Sequence, residues 1–202
     1  VPDVEQQILA RDDAVAVVNF GDGAASQGIV AESFNFAAVY KAPCIFVCEN
    51  NGWAISTPAE RQASVGELAR RGPAYGIPSI RVDGNDILAM ITASNRAAAH
   101  ARAGNGPYLI EAVTYRMGVH TTADDPKVYR EDAEVDAWKG KCPIARFEIY
   151  LKERGLLDEN AIARIAEECE QEILDARESF RQRAKADPRE IFDYVYETMP
   201  PE

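Results

Sequence analysis

The sequence predicts an α/β fold in which a parallel sheet is flanked by helices and followed by a helical C-terminal segment. Two apolar runs, residues 14–20 and 44–48, have the near-continuous hydrophobic character of strands that are buried on both faces. Between them, apolar residues recur at a helical period over residues 29–41. Because a strand–helix–strand crossover is almost always right-handed, we expect the two strands to lie parallel in one sheet.

Later segments extend the same alternation of strands and helices. A helix predicted at residues 86–102 lies between two predicted strands, at residues 77–82 and 108–115. The intervening loop at residues 52–63 contains Pro58 and several polar residues and has no clear period, as expected for a segment that surrounds a ligand. These elements complete the predicted sheet and its flanking helices.

The chain becomes helical after residue 131. Helices are predicted at residues 143–155, 160–186 and 191–199, and residues 1–11 have the pattern of the end of a helix. One buried face of the long helix is predicted from its apolar residues, Ile162, Ile165, Ala166, Cys169 and Ile173. In the last helix, Phe192, Val195 and Met199 fit either an intramolecular core or a subunit contact. The predicted organisation is an α/β part, residues 1–130, and a helical extension, residues 131–202.

Composition excludes several classes of partner. The formal net charge of −11 argues against nucleic acid and anionic membrane partners, because both require clustered positive charge. No stretch approaches the ~20 apolar residues of a membrane span. Cys44 and Cys48 point to the same face of one strand but are too far apart for a disulfide. Reduced, buried thiols are therefore expected, in the cytoplasm of a bacterium or in the mitochondrial matrix of a eukaryote.

Two short polar motifs follow the first two predicted strands. Gly21-Asp22-Gly23 ends the first strand, and Asn50-Asn51 ends the second. The carboxyl ends of parallel strands form the ligand-binding edge of open α/β sheets. A carboxylate and a carboxamide oxygen suit Mg²⁺ or Ca²⁺, and phosphate oxygens commonly complete the shell of Mg²⁺. Taken singly, each motif is an ordinary turn or loop, but their spacing favours a site for a metal and a diphosphate.

These motifs also carry a resemblance to a known family. GDG followed by NN at this spacing is similar to the thiamine diphosphate signature, and residues 21–58 resemble the α subunit of the E1 component of 2-oxo acid dehydrogenase complexes. Further similar stretches are residues 71–86, 106–130 and 191–200. The resemblance implies a thiamine diphosphate-binding fold. NNGWAISTP and RVDGND are most similar to the branched-chain (2-oxoisovalerate) enzyme, and the pyruvate and acetoin enzymes remain alternatives.

The resemblance implies which residues hold the cofactors, thiamine diphosphate and Mg²⁺. The implied metal ligands are the side chains of Asp22 and Asn51 and the backbone carbonyl of Trp53. The backbone of Gly21, Gly23 and Ala24 is implied to line the diphosphate. Glu49 is a departure from branched-chain members, which carry an arginine there and use it on the phosphates.

His120 is the implied catalytic and cofactor-binding histidine. The chain has two histidines, His100 in a predicted helix and His120 in a loop beyond the strand at residues 108–115. A loop histidine is by default exposed and without a role, but His120 matches the family's active-site histidine. An imidazole there is expected to hydrogen-bond the diphosphate or to donate a proton during acyl transfer.

The loop around His120 carries further matches to the family. Thr121 aligns with the serine that a kinase modifies in mitochondrial members, and an ordinary loop hydroxyl is the favoured interpretation. The same motif contains Asp124, Asp125, Tyr129 and Arg130, which are expected to order the loop, with simple charge pairing as the alternative.

The implied reaction is decarboxylation of a small-molecule 2-oxo acid with transfer of the acyl group to a lipoyl arm. The implied partners are an E1 β subunit, in an α2β2 heterotetramer, and the E2 lipoyl acyltransferase. The family's α subunit is much longer than 202 residues, so we expect a fragment, a nicked chain or a split α subunit that lacks the N-terminal half. Two other hypotheses are another thiamine diphosphate enzyme, against which the His120 loop argues, and a catalytically inactive fragment that retains only a metal-binding turn.

Overall fold

The computed structural model describes residues 13–183, 187, 188, 190–193, 195, 197 and 198. The chain divides into two compact units, Val1–Tyr150 and Leu151–Glu202. The strands are β1 (Ala16–Gly21), β2 (Cys44–Asn50), β3 (Trp53–Ala54), β4 (Thr57–Pro58), β5 (Ser79–Asp83) and β6 (Tyr108–Val113). The α-helices are α1 (Asp22–Ala25), α2 (Gly28–Val39), α3 (Ala59–Gln62), α4 (Ile87–Arg102), α5 (Asp132–Lys139), α6 (Pro143–Glu153), α7 (Glu159–Gln182) and α8 (Glu190–Asp193).

The first unit is built on a four-stranded parallel sheet with the order β1-β2-β6-β5. The predicted α/β class and the parallel pairing of the first two strands are confirmed. Short 3₁₀ segments lie at Leu68–Tyr75 and Pro126–Val128. The loop predicted at residues 52–63 contains the antiparallel pair of β3 and β4. These two-residue strands are too short to produce a periodic sequence pattern.

Strand β2 separates two apolar clusters, one on each face of the sheet. Cys44, Phe46 and Cys48 pack with Phe34 of α2 and Leu109 of β6. On the other face, Ile45 and Val47 pack with Ala93 and Ala97 of α4. The alternation places both cysteines on one face as free, buried thiols, as the sequence predicted. Burial raises the pKa of Cys44 to about 11 and that of Cys48 to about 12.

The prediction that the first strand is buried on both faces was wrong. Val17 is 56% exposed and Val18 is 44% exposed. The reason is position, since among the described residues β1 lies at the edge of the sheet and pairs only with β2. An apolar run predicts a strand, but its burial depends on which neighbours cover it.

Helix α4 forms where the sequence predicted it. The carboxylate of Asp86 caps the helix by accepting hydrogen bonds from the backbone N–H groups of Leu88 and Ala89, at 3.0 and 3.1 Å. Small residues at four-residue spacing, Ala93, Ala97 and Ala101, are buried against the sheet. The helix therefore holds β5 and β6 in place below the carboxyl ends of the strands.

The second unit contains α7, whose predicted buried face was also wrong. Ile165 is 48% exposed, Ile173 is 61% exposed, and α7 has no buried residue. The pattern Ile162, Ile165, Ala166, Cys169 and Ile173 identifies an apolar stripe, but the described residues of this unit contain no element of comparable length to cover it. Residues 1–11 and the side chains of Phe192 and Met199 lie outside the described residues, and Val195 is exposed.

Among the helices described, none combines the length and the apolar character that a membrane crossing requires.

Candidate functional site

A cavity with a volume of about 820 Å³ lies at the carboxyl ends of the strands. Its lining includes Asp22, Asn50, Gln62 and Tyr115, together with the only two tryptophans of the chain, Trp53 and Trp138. This is the edge at which the sequence predicted a ligand site, because Gly21 of β1 is in register with Glu49 of β2. The chain segments after both strands therefore start at the same level of the sheet.

Asp22 is the first residue of α1 and is only 3% exposed. Its Oδ2 accepts a hydrogen bond from Nε2 of Gln62 at 3.0 Å. The same Nε2 donates to the carbonyl oxygen of Thr57 at 2.9 Å. A buried carboxylate is costly unless it is paired or hydrogen-bonded, and the Gln62 amide supplies one such hydrogen bond to Asp22.

The two asparagines after β2 have different partners. Asn50 lines the cavity, donates through Nδ2 to Glu111 at 2.9 Å and accepts through Oδ1 from the backbone N–H of Gly52 at 3.3 Å. Asn51 accepts through Oδ1 from the backbone N–H of Trp53 at 3.1 Å. The hydrogen bonds of Asn50 thus fix the loop that follows β2. The Asn51 carboxamide oxygen retains a second lone pair for a further partner.

Gly23 has no room for a side chain. A Cβ atom at this position would lie 2.7 Å from the Cβ atom of Ala54, which real contacts do not tolerate. The β3–β4 hairpin therefore lies directly against the turn of α1. Ala24 is exposed beside it, and Gly21 ends β1 without such crowding.

Arg116 connects this hairpin to the loop that carries His120. Its Nη1 donates to the Trp53 carbonyl oxygen at 3.5 Å, and its Nη2 donates to the Ile55 carbonyl oxygen at 2.6 Å. Ile55 has a φ of 56°, which is unusual for a β-branched residue. Strain of this kind persists only where surrounding contacts hold the backbone, and Arg116 supplies one of them.

His120 is exposed and sits in a hydrogen-bonded network. Nη1 of Arg116 lies 3.4 Å from Nδ1 of His120, so an Arg116 N–H that donates there places the ring proton on Nε2. The backbone N–H of His120 donates to Oδ2 of Asp124 at 2.7 Å, and the Tyr129 hydroxyl donates to the same oxygen at 2.7 Å. These two donors, the His120 N–H first, lower the pKa of Asp124.

Arg130 supports the start of this loop. It is 9% exposed and donates to the carbonyl oxygens of Arg116, Met117 and Gly118. Asp125 caps the following 3₁₀ segment by accepting from the backbone N–H of Lys127 at 3.2 Å. Asp124, Asp125 and Arg130 thus make the loop contacts that their motif led us to expect.

The comparison with family models decides the family. The model described as the dehydrogenase E1 component matches residues 6–189. The chain belongs to this E1 family.

Similar curated proteins carry related names. The chain is 45% identical over 190 residues to the 3-methyl-2-oxobutanoate dehydrogenase subunit alpha of Mycobacterium tuberculosis, covering 94% of this chain and 52% of that protein. It is 44% identical over 192 residues to the mitochondrial 2-oxoisovalerate dehydrogenase subunit alpha of Homo sapiens, covering 95% and 43%. It is 44% identical over 196 residues to the pyruvate dehydrogenase E1 component subunit alpha of Acholeplasma laidlawii, covering 96% and 57%. The chain spans about half the length of these relatives.

The motifs did not identify several residues at and beneath this cavity. Glu111 is fully buried in β6 and accepts from Asn50 Nδ2, from the backbone N–H of Ala69 at 2.8 Å and from Nε of Arg81 at 3.4 Å. A signal was present, because Glu111 is the one charged residue in an otherwise apolar strand. Trp138 stacks on Tyr115 with ring centroids 5.2 Å apart. No sequence pattern linked those two rings.

The predicted residues fit a metal-bound diphosphate on one observation. Oδ1 of Asp22 receives no hydrogen bond from the described part of the chain, which leaves this oxygen available to a cation. Among the residues described, no three or more His, Cys, Asp or Glu side chains are grouped to hold a metal. The predicted donor set is of another kind, with one carboxylate, one carboxamide and one backbone carbonyl.

Proposed function

We propose that this chain is part of an E1 α subunit that binds thiamine diphosphate and Mg²⁺ and serves the oxidative decarboxylation of a 2-oxo acid. The observation that carries the proposal is the buried Asp22 carboxylate on a cavity of about 820 Å³ in a chain of the E1 family. A carboxylate is a hard oxygen donor, which a metal-bound diphosphate requires.

Each predicted residue has a role in this proposal. Asp22, Asn51 and the backbone carbonyl of Trp53 hold Mg²⁺, and the backbone of Gly21, Gly23 and Ala24 lines the diphosphate. Bound thiamine diphosphate supplies the electron sink for decarboxylation. The contact from Arg116 to the Trp53 carbonyl is long, at 3.5 Å, which leaves that oxygen open to a stronger partner.

His120 is the proposed catalytic residue. The support is geometric, since a hydrogen bond from Arg116 to Nδ1 keeps the proton on Nε2, the nitrogen that is then able to donate. The Asp124 and Tyr129 contacts hold the loop backbone at His120. An Nε2–H group suits hydrogen bonding to a phosphate oxygen or proton donation during acyl transfer.

The proposed substrate is a branched-chain 2-oxo acid, with pyruvate or acetoin chemistry as the alternative. Relatives of similar identity carry both branched-chain and pyruvate names. Glu49 is exposed at the end of β2, where branched-chain members resembling this chain carry arginine. Substrate choice is therefore best tested by comparing rates on both acids.

The proposal includes partners, because the relatives are named as alpha subunits and one of them as part of an E1 component. An E1 β subunit, in an α2β2 heterotetramer, and an E2 lipoyl acyltransferase as acyl acceptor complete the proposed system. The proposed location is the bacterial cytoplasm, or the mitochondrial matrix in a eukaryote.

The decisive experiment is calorimetric titration of Mg²⁺ in the presence of thiamine diphosphate, with this chain alone and with an E1 β subunit. We expect binding heat that Asp22→Ala removes. The matched control is Asp175→Ala, because Asp175 also accepts a side-chain amide hydrogen bond, at 2.7 Å, but lies exposed on α7. Binding that survives Asp22→Ala would show that the metal site is elsewhere. Binding without any 2-oxo acid turnover in the reconstituted complex would favour the inactive-fragment hypothesis.

A further inference from the structure

Gln62 joins three segments around the candidate metal ligand. It ends α3, its Nε2 donates to Asp22 of α1 and to the Thr57 carbonyl of β4, and its backbone carbonyl accepts from Oγ of Ser26 at 3.1 Å. Asp22 and Gln62 are 40 residues apart in the chain. The contact therefore exists only in the folded structure.

The side-chain chemistry of Gln62 matches this position. A carboxamide nitrogen carries two N–H donors, and both have acceptors here at 2.9 and 3.0 Å. A neutral donor orients a carboxylate without cancelling its charge. A lysine or arginine in the same place would form an ion pair and compete with a cation for Asp22.

Gln62 hydrogen-bonds only one of the two oxygens of Asp22. Oδ2 is engaged by the amide, while within the described residues Oδ1 has no hydrogen-bond donor. Groups that hydrogen-bond a ligating side chain fix its orientation and influence metal affinity. The two hydrogen bonds also connect Asp22 to the hairpin that contains Trp53. Gln62 therefore contacts two of the segments that carry the proposed metal ligands.

We infer that Gln62 is a positioning residue that orients the Asp22 carboxylate for a divalent cation and joins α1 to the β3–β4 hairpin. This inference rests on the proposed function, because it assigns Asp22 to the metal. Gln62 itself is not a ligand in this scheme. Gln62 affects Mg²⁺ binding by orienting the Asp22 carboxylate.

The test measures Mg²⁺ affinity at a fixed concentration of thiamine diphosphate, in the chain with its E1 β subunit. Trp53 and Trp138 both line the cavity, so their fluorescence reports binding independently of activity. Gln62→Met preserves length and volume but removes both donors. We expect Mg²⁺ to bind about ten-fold more weakly, the lower end of what loss of such a partner costs.

Three comparisons separate positioning from a general structural effect. Gln171→Met is the matched control, because Gln171 donates to Asp175 at 2.7 Å on an exposed helix surface, and we expect unchanged affinity. The melting temperature without ligand shows whether Gln62→Met folds, and Gln62→Leu replaces it if it does not. In an Asp22→Asn background, Gln62→Met is expected to weaken Mg²⁺ binding by a much smaller factor, because Gln62 acts through the charged carboxylate.

The outcomes distinguish this inference from the proposed function. Unchanged affinity in a folded Gln62→Met variant overturns the inference, while sensitivity to Asp22→Ala leaves the metal site standing. Tighter binding also overturns it, because the amide would then compete with the cation. Equal losses of affinity with and without the Asp22→Asn substitution would show that Gln62 acts only on the fold. Failure of the unsubstituted complex to bind Mg²⁺ and thiamine diphosphate would refute the proposed function itself.

Discussion

Replacement of Glu111 by alanine should destabilise the first unit strongly. The carboxylate is fully buried and accepts hydrogen bonds from Asn50, Ala69 and Arg81. Glu111→Ala leaves the Asn50 amide and the Ala69 N–H without their acceptor, at about 1–3 kcal/mol for each buried donor. The Arg81 side chain is 45% exposed and water replaces its partner, so it adds little. The expected loss is about 2–6 kcal/mol of unfolding free energy.

Urea denaturation followed by tryptophan fluorescence measures this loss. Glu111→Gln keeps the shape and one carbonyl acceptor, so we expect a smaller loss of about 1–3 kcal/mol. The control is Glu168→Ala, which removes a 3.7 Å ion pair with Arg164 on the exposed surface of α7 and should change stability by less than about 0.5 kcal/mol. If Glu111→Ala costs no more than the Glu168 control, the argument that Glu111 supports the Asn50 loop is refuted.

Three further predictions concern single side chains at and below the site. Gly23→Ala should lower the free energy of unfolding by about 1–3 kcal/mol and weaken cofactor binding, because the new methyl group meets Ala54 at 2.7 Å. Ala54→Gly in the same chain should restore the binding measured by calorimetry. If it does not, the effect of Gly23→Ala does not come from a clash with Ala54. The His120 N–H lowers the pKa of Asp124 in the folded state, so the loop ordering that Asp124 contributes is present above the ordinary carboxyl pKa and is lost as pH falls through the lowered value. The rate of proteolysis of the loop, measured against pH, checks this prediction. Asp124→Asn should remove the dependence of that rate on acid. Cys48, with a pKa of about 12, should resist alkylation in the folded chain and react on unfolding, and equal labelling in both states by mass spectrometry would contradict its burial.

The elements were predictable where local pattern and tertiary environment agree. Strand β2 was predicted from its apolar run and is buried, and α4 was predicted at residues 86–102 and forms there with an aspartate cap and a buried alanine face. Strand β1 and helix α7 have equally clear patterns but exposed apolar residues. Periodicity reports which face of an element is apolar. It does not report whether another element covers that face.

The position of the two motifs at one edge of the sheet was predictable for a topological reason. A strand–helix–strand unit brings the ends of β1 and β2 to one edge, so motifs placed directly after the strands meet there. The partners of those motifs were not predictable. Glu111 is 61 residues from Asn50, and no local pattern connects them.

By itself, the sequence determined the order of the four sheet strands and of the longer helices, the parallel pairing of the first two strands and the polar motifs at their ends, because these follow from neighbouring residues and from the handedness of the crossover. The tertiary structure alone decided that β1 is an edge strand, that Gln62 holds Asp22, that Glu111 supports Asn50 and that Arg116 spans the hairpin and the His120 loop. Those contacts join residues far apart in the chain, and their geometry depends on how the whole unit packs rather than on any local preference.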